Sequence, residues 1–533
     1  MWRVYRTFGA VCLYVLCLLI HCECLSPTEY DKQRQSVIKA EQSRRFGSSN
    51  VLNEGEKKLS QILVEAKQRE YNSSRVNGTI FPPSVSFFQT KKLIEKSQVF
   101  KIIQRMPKGG ALHTHDSSIT SLDWLIKNVT YRPNCYMCFD QNKQLQMHFY
   151  STPPQNTDCK WQTVKSMRAR SGNIDLFDSY LLSNISIVVD NPQDVYVTVN
   201  DVWKKFGSYF VVVNGLFLYE PVFRDYLVEA LTQFKADNVQ YLEIRALLPR
   251  LYDLNGTESD PEYTLQLYRD VIKRFQKDNP DFIGCKLIQS AIRFSPLKSV
   301  MSSLKQAITF IRKYPDVFRG FDLVGQEGPG HTLYYYLADL LYPSQQSPPI
   351  NMPYFFHAGE TDWEGSQVDL NLIDAVLLNS TRIGHGFALY KHPEVMKMIK
   401  EKDIAIEVNP ISNQVLKLVD DLRDHGAVSL FADNFPLVVS SDDPAAWGAL
   451  PLSHDFYMAY MALVGEDDGL EVLKQLAMNS IQYSAMTKDE KLGAISKWEN
   501  AWNHFILEIL KSLDTFWVVQ NSVSNKSHPT VPK

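Results

Sequence analysis

The sequence predicts an α/β fold of the (β/α)8 TIM-barrel type, and three observations carry that prediction. Eight short apolar runs recur from about residue 107 onward: Ala111 to Asp116, Val239 to Ala246, Phe282 to Arg293, Gly320 to Glu327, Pro353 to Glu360, Arg382 to Phe387, Ile404 to Asn409 and Leu437 to Asp443. Helical stretches separate them, and eight strands alternating with helices are the mark of that barrel. Nearly every run ends in polar or ionisable residues, as expected where a barrel carries its chemistry at the C-terminal rim. The rival, a doubly wound sheet, wants a G-x-G-x-x-G turn after an early strand, and none occurs.

Composition agrees with a large folded core. Of the 533 residues 44% are hydrophobic and 12% aromatic, and 56 basic against 59 acidic residues leave a net charge of −3. This excludes a disordered chain, a collagen or coiled-coil rod and a disulfide mini-scaffold. No basic excess points to nucleic acid as a partner.

The N-terminus reads as a targeting segment. Arg3 and Arg6 precede an apolar run from Gly9 to Ile20, the charge-then-apolar order of a secretory signal peptide assigned here to residues 1–25. The run falls short of the ~20 residues a membrane span needs, and no other stretch approaches that length. The expectation is therefore a secreted, extracellular protein with no membrane span. Glycosylation sequons fit that compartment, at Asn72, Asn77, Asn128, Asn184, Asn255, Asn379 and Asn525. Four cysteines lie outside the signal, and in an oxidising lumen Cys135-x-x-Cys138 reads as half of a disulfide rather than half of a zinc ribbon. Cys138 is paired with Cys159, with Cys135 the rival end, and Cys285 in its apolar run reads as a buried free thiol.

Two segments stand outside the eight-run pattern. Residues 26–105 are charged and helical in spacing, as in Leu59, Ile62, Leu63 and Ala66, and read as a helical cap or dimerisation arm. Residues 127–185 hold three of the cysteines, two sequons and Pro153-Pro154, and read as an inserted, disulfide-tied surface module. The barrel is then built from 106–126 and 186–515, followed by a flexible tail at 516–533.

The chemistry collects at four strand ends. His113 and His115 stand at i and i+2, so a strand turns both rings to one face. His357 closes an aromatic strand, with Glu360 three residues on and small Ala358 and Gly359 between. His385 is bracketed by Gly384 and Gly386. Asp442 and Asp443 end a buried strand, where two carboxylates are costly unless paired or metal-bound, and they face opposite ways. Three histidines and one aspartate, His113, His115, His357 and Asp442, make a nitrogen and oxygen ligand set suited to one Zn2+ per subunit with a position open for water. Zinc lowers the pKa of water from ~15.7 to about 7. His385 is left to orient or deprotonate that water and Glu360 to carry a proton. A two-metal site wants a bridging ligand at the fourth strand end; Asp322 to Glu327 contains no lysine and offers only Glu327 as a bridge, so one metal is the expectation. No G-x-S-x-G supports a serine nucleophile.

Met106 to His115, Phe355-Phe356-His357-Ala358-Gly359-Glu360-Thr361, Gly384-His385-Gly386 and Ser440-Ser441-Asp442-Asp443-Pro444 together resemble the adenosine deaminase family. Phe81-Pro82-Pro83-Ser84, Val129 to Pro133, Pro221 to Tyr226 and Asn409 to Leu418 are similar to its secreted, growth-factor-related branch, and the similarity runs from about residue 50 to 510. The resemblance implies zinc on the four ligands above, Glu360 as proton donor to purine N1, His385 acting on the water, Asp443 on N7 and the Gly325 N–H on N3. It implies Asp116 and Trp203 on the ribose side, with adenosine and 2′-deoxyadenosine as substrates. It also implies a homodimer formed through the N-terminal helices and an insertion that meets a cell-surface receptor or glycosaminoglycan. One position departs from the pattern: Ile292 stands where relatives carry a histidine near the substrate, which removes a hydrogen-bonding side chain and leaves the ligand set intact. The rival reading is a growth-factor-like receptor-binding protein in which catalysis is secondary, and a complete set of metal and acid–base residues argues against it.

Overall fold

The computed structural model describes residues 25–155 and 158–524, with the backbone course alone for 513–524. Residues 1–24 of the expected signal peptide, Asn525 and the end of the expected tail lie outside the described residues. The final helix, Lys488–Ser524, continues into the segment expected to be flexible.

The eight apolar runs each hold a strand: β1 (Gly110–His115), β5 (Tyr241–Ala246), β6 (Gly284–Ile292), β7 (Phe318–Val324), β8 (His357–Ala358), β9 (Arg382–His385), β10 (Ala405–Val408) and β11 (Leu437–Val439). They form two parallel four-stranded sheets, ordered β1-β5-β6-β7 and β8-β9-β10-β11. Two seams join the sheets into a closed barrel. At one, Thr114 bridges Asp442, with Asp442 N–H donating to His113 O at 3.0 Å. At the other, Phe321 bridges Tyr354, with Phe355 N–H donating to Phe321 O at 3.0 Å. Both seams bear on function, because each sets candidate ligands beside one another.

The N-terminal region is helical, as its spacing predicts. Pro27–Arg44 opens with a capping box between Ser26 and Glu29 and buries no residue. Glu54–Asn77 opens with a second box, Asn53 with Glu56, and ends on Gly78 in the left-handed region. Its buried Leu59, Leu63 and Ala66 lie one turn apart on one face. That face packs against the helices Leu470–Gln482 and Lys488–Ser524, so this helix belongs to the barrel's outer wall.

The insertion contains a small antiparallel sheet, β3-β2-β4, from β2 (Cys135–Phe139), β3 (Leu145–Phe149) and β4 (Gln162–Thr163). Cys138 is bonded to Cys159 with Cα atoms 5.6 Å apart. Cys135 and Cys285 are free and buried. The sheet packs on the helix Val199–Phe217, where a Cβ at Gly215 would lie 1.9 Å from Met147 O, so only glycine permits the approach. No helix among the described residues is long and apolar enough to cross a membrane.

Candidate active site

Barrel closure delivers the candidate ligands to one point. His113 and His115 stand at the end of β1, Asp442 faces them across the first seam, His357 opens the two-residue β8 and His385 ends the adjacent β9. His385 and Asp442 both take left-handed backbone angles, φ 61° and 59°. Such angles are strained for residues with a side chain and persist where the surroundings enforce them. Gly384 is required beside them, because a Cβ there would lie 2.9 Å from His113 Cε1.

The side chains meet in the barrel mouth. His113 Nε2 is 3.0 Å from His357 Nε2 and 3.4 Å from Asp442 Oδ1, and His115 Nε2 is 3.0 Å from the same oxygen. Asp442 Oδ2 accepts a bond from Ser412 Oγ at 2.7 Å. His113 Nδ1 faces Glu407 Oε2 at 2.7 Å and His357 Nδ1 faces Asp322 Oδ2 at 2.8 Å. Ionised carboxylates only accept, so both Nδ1 atoms donate and both Nε2 atoms present lone pairs. With both rings neutral, two lone pairs stand 3.0 Å apart in a buried site, an arrangement that a cation shared between them relieves. The donor set of imidazole nitrogens and a carboxylate oxygen fits a divalent metal such as zinc.

The carboxylates behind the two histidine rings are held in the ionised form. Burial alone would raise Glu407, but Arg245, Arg382 and His113 hold its carboxyl well below the usual range. Asp322 is likewise held low against burial by His357, Arg245 and His113. Arg245 spans the two, bonding Asp322 Oδ2 at 3.0 Å and Glu407 Oε2 at 2.5 Å. Arg382 bonds Glu407 Oε1 at 2.6 Å and Glu243 Oε2 at 2.5 Å. None of these five residues was singled out from the sequence. The signal was present: Glu407, Glu243 and Arg245 are charges inside apolar strands, and a buried charge demands a partner.

Donor-atom proximity alone draws the ligand boundary differently from the sequence. His113, His357, His385 and Asp442 form one group with all donors within 4.8 Å, while His115 groups with Asp442 and Asp443. His385 Nε2 also lies 3.7 Å from both Glu360 Oε1 and Asp442 Oδ2.

The remaining sequence-predicted residues line one cavity of about 410 Å3, with His115, His357, His385 and Asp442 at its floor. Glu360, Asp443, Asp116, Trp203 and Gly325 all border it. Burial, with Asp442 and Glu327 nearby, pushes Glu360 well above the ordinary carboxylate range. Burial and the adjacent Asp442 push Asp443 up, and its Oδ1 has no hydrogen-bond partner. Burial raises Asp116 to about 6. Gly325 turns with φ 103°. Glu327, weighed from sequence as a bridging ligand, is bound elsewhere: its Oε2 accepts from Glu360 N at 2.5 Å and its Oε1 from Asn371 Nδ2 at 2.6 Å. Ile292 is 44% exposed at the cavity wall.

Comparison with known proteins places this geometry in a family. A family model for adenosine deaminase matches residues 188–501, and one for the adenosine/AMP deaminase N-terminal region matches residues 11–103. The chain is 46% identical over 490 residues to adenosine deaminase 2 of Sus scrofa, covering 91% of this chain and 96% of that protein. It is 45% identical over 486 residues to adenosine deaminase 2 of Homo sapiens, covering 91% and 94%. Among solved structures, an Arabidopsis N6-mAMP deaminase superposes with a TM-score of 0.54 at 17% identity, covering 75% of this chain and 99% of that one. That likeness speaks for the fold alone. With a matching family model, relatives of this identity along nine-tenths of its length and a barrel whose rim gathers histidines and aspartates, the chain belongs to the adenosine deaminase family, in the adenosine deaminase 2 branch.

Proposed function

We propose that this protein is a secreted, zinc-dependent adenosine deaminase that hydrolyses adenosine and 2′-deoxyadenosine to the corresponding inosines and ammonia. The observation that carries the reading is the meeting of His113, His115, His357 and Asp442, the last three at a cavity that Glu360 and Asp443 also border. Bound by those four residues, one zinc ion per subunit supplies the Lewis acidity that brings the pKa of a water molecule from ~15.7 to about 7.

The chain's own groups do the rest. Glu360, kept protonated by its buried setting, donates to purine N1 and makes C6 electrophilic. His385 orients the water toward C6. N7 is an acceptor, so Asp443 serves it in the protonated form that its surroundings favour. The Gly325 N–H meets N3, and Asp116 and Trp203 hold the ribose. Water adds at C6; one of its protons passes to the amino group, which leaves as ammonia, the other returns to the Glu360 carboxylate, and the cavity walls keep bulk solvent from the reacting carbon.

Secretion rests on the signal-like residues 1–25 and on the sequons. Asn72, Asn77, Asn128, Asn255 and Asn379 are exposed and Asn184 is half-buried, so glycan attachment there is sterically open. The domain division proposed is residues 26–105 as a helical dimerisation region, 127–185 as a module for a receptor or glycosaminoglycan, and 106–126 with 186–515 as the catalytic barrel. The test is metal analysis with an adenosine-to-inosine absorbance assay on the parent and on Glu360→Gln. The variant should keep its zinc and its fold and lose activity by about 10²–10⁴-fold. Full activity in Glu360→Gln, or in protein stripped by chelator, overturns the proposal.

A further inference from the structure

The hydrogen bonds behind His385 run in one direction. Ala427 N–H donates to His425 Nδ1 at 2.9 Å, so that nitrogen is an acceptor and the neutral ring carries its proton on Nε2. His425 Nε2–H therefore donates to Asn413 Oδ1 at 2.9 Å. With its carbonyl oxygen engaged, Asn413 turns Nδ2 toward His385 Nδ1 at 3.1 Å, and an amide nitrogen only donates. His385 Nδ1 must accept, which leaves the proton on Nε2. Turning the Asn413 amide over would set a donor against His425 Nε2–H. All three side chains are buried, and Phe387 packs edge-on against the His425 ring at 4.9 Å. Burial lowers His425 to about 3, so its ring is neutral and the direction of the chain is fixed.

His113 and His357 are set the opposite way. A carboxylate behind each makes Nδ1 the donor and leaves Nε2 bare. One side-chain cluster thus holds two kinds of imidazole, distinguished by whether a carboxylate or an amide stands behind the ring.

We infer that Asn413 and His425 are positioning residues: backbone Ala427, His425 and Asn413 lock His385 as the Nε2–H tautomer, so that it meets the attacking water as a hydrogen-bond donor and stays out of the metal's ligand set. This explains why His385 is a water-directing group although its ring sits as close to the ligands as His115 does, and it rests on the deaminase reading above. The chemistry is specific. A ring nitrogen that carries a proton has no lone pair for a metal, whereas Nε2 of His115 carries no such constraint from the relay.

Three variants test it, each examined as full-length protein loaded with zinc and, separately, with Co2+. His425→Gln keeps an acceptor for Ala427 N–H and a donor for Asn413, and should stay close to the parent. His425→Leu frees the amide to turn and should lower kcat with little change in KM. Asn413→Asp keeps the shape of the side chain but accepts on both sides, so His385 Nδ1 must donate and Nε2 gains a lone pair beside the metal. It should lower kcat by about 100-fold or more, the penalty class of a wrong catalytic tautomer. In its Co2+ form the visible d–d bands should weaken as an extra nitrogen joins the metal. A merely structural role predicts the reverse order, with the near-isosteric Asn413→Asp mildest and losses tracking the melting temperature. Parent-like kcat and Co2+ bands in Asn413→Asp, or equal losses in His425→Gln and His425→Leu, overturn the inference. Absence of adenosine turnover in the parent would sink the functional reading instead, and the Co2+ spectra would still decide the tautomer.

Discussion

Replacing Asp322 by asparagine isolates what a carboxylate contributes from behind a ligand. Asp322 accepts four hydrogen bonds. Oδ2 takes Arg245 Nε at 3.0 Å and His357 Nδ1 at 2.8 Å. Oδ1 takes the backbone N–H of Leu323 at 2.7 Å and of His357 at 3.0 Å. An amide in the same place has one oxygen and one NH2, and either orientation sets the NH2 against two donors. Two bonds are lost whichever way it turns. At about 1.5–3 kcal/mol for a bond involving a charged group, unfolding free energy should fall by about 3–6 kcal/mol, with the backbone pair at the lower end. The His357 ring also loses the partner that fixes Nδ1–H and raises the basicity of Nε2. Zinc affinity should therefore fall about 10–100-fold. Chelator competition gives the zinc dissociation constant, and denaturant titrations with saturating zinc and with chelator separate metal-linked from intrinsic stability. Zinc affinity within about twofold of the parent would refute the idea that this carboxylate governs His357.

Three further outcomes follow from other parts of the structure. Gly384→Ala places a Cβ 2.9 Å from His113 Cε1, so zinc affinity should drop about tenfold or more while unfolding in chelator changes little; an equal loss in both would point to general packing damage. Replacing Cys138 and Cys159 by serine opens a loop of sequence separation 21, which should cost the insertion about 3 kcal/mol and raise hydrogen exchange across β2–β4 while leaving adenosine turnover unchanged. Lys67 is buried, donates to Gly465 O at 2.7 Å and is lowered by burial from 10.5 to about 7. Between those values the unfolded chain binds more protons than the folded one, so the Lys67 contribution to stability rises with pH from about 7 to 10.5. The parent's advantage over Lys67→Met should grow by a few kcal/mol across that window, and parallel pH curves for the two would contradict the assignment.

What the sequence disclosed follows from how residues of different chemistry sit on a strand. His113, His115, His357 and Asp442 were legible because each is an ionisable group at the end of an apolar run, where no core reading explains it. The strand runs were legible for the same reason, although Pro353 to Glu360 yields only the two-residue β8, because pairing at the Phe321–Tyr354 seam shrinks to an isolated bridge. The sheet of the insertion was missed, yet Leu145, Met147 and Phe149 are buried in strict alternation after the turn residues Asp140 to Lys143. Asn413 and His425 lie on no strand, and their roles depend on which atom faces which. Hydrogen-bond direction is a property of three-dimensional contact that no spacing rule encodes. The candidate ligands show the same limit from the other side: proximity of residue types draws in His385 as readily as His115, and only His385 has an amide behind its ring.

The interior charges carry one argument further. A barrel of this type is ordinarily filled by layers of branched apolar side chains, whereas this one has Arg245 and Arg382 laced to Glu243, Glu407 and Asp322. Buried ion pairs are weak reasons for stability, since an apolar layer of the same volume holds a fold as well or better. Their arrangement is informative instead. Arg245 from one four-stranded sheet and Arg382 from the other each reach a carboxylate across the barrel, and the two meet on Glu407, which stands behind His113. With Asp442 added, two guanidinium groups face four carboxylates held in the ionised form or paired to arginine, while Glu360 and Asp443 beside them are pushed toward neutrality. The lattice that orients His113 and His357 therefore gathers the ionised carboxylates behind the rings, while burial outside it pushes Glu360 and Asp443 toward the protonated forms in which a carboxyl group can donate.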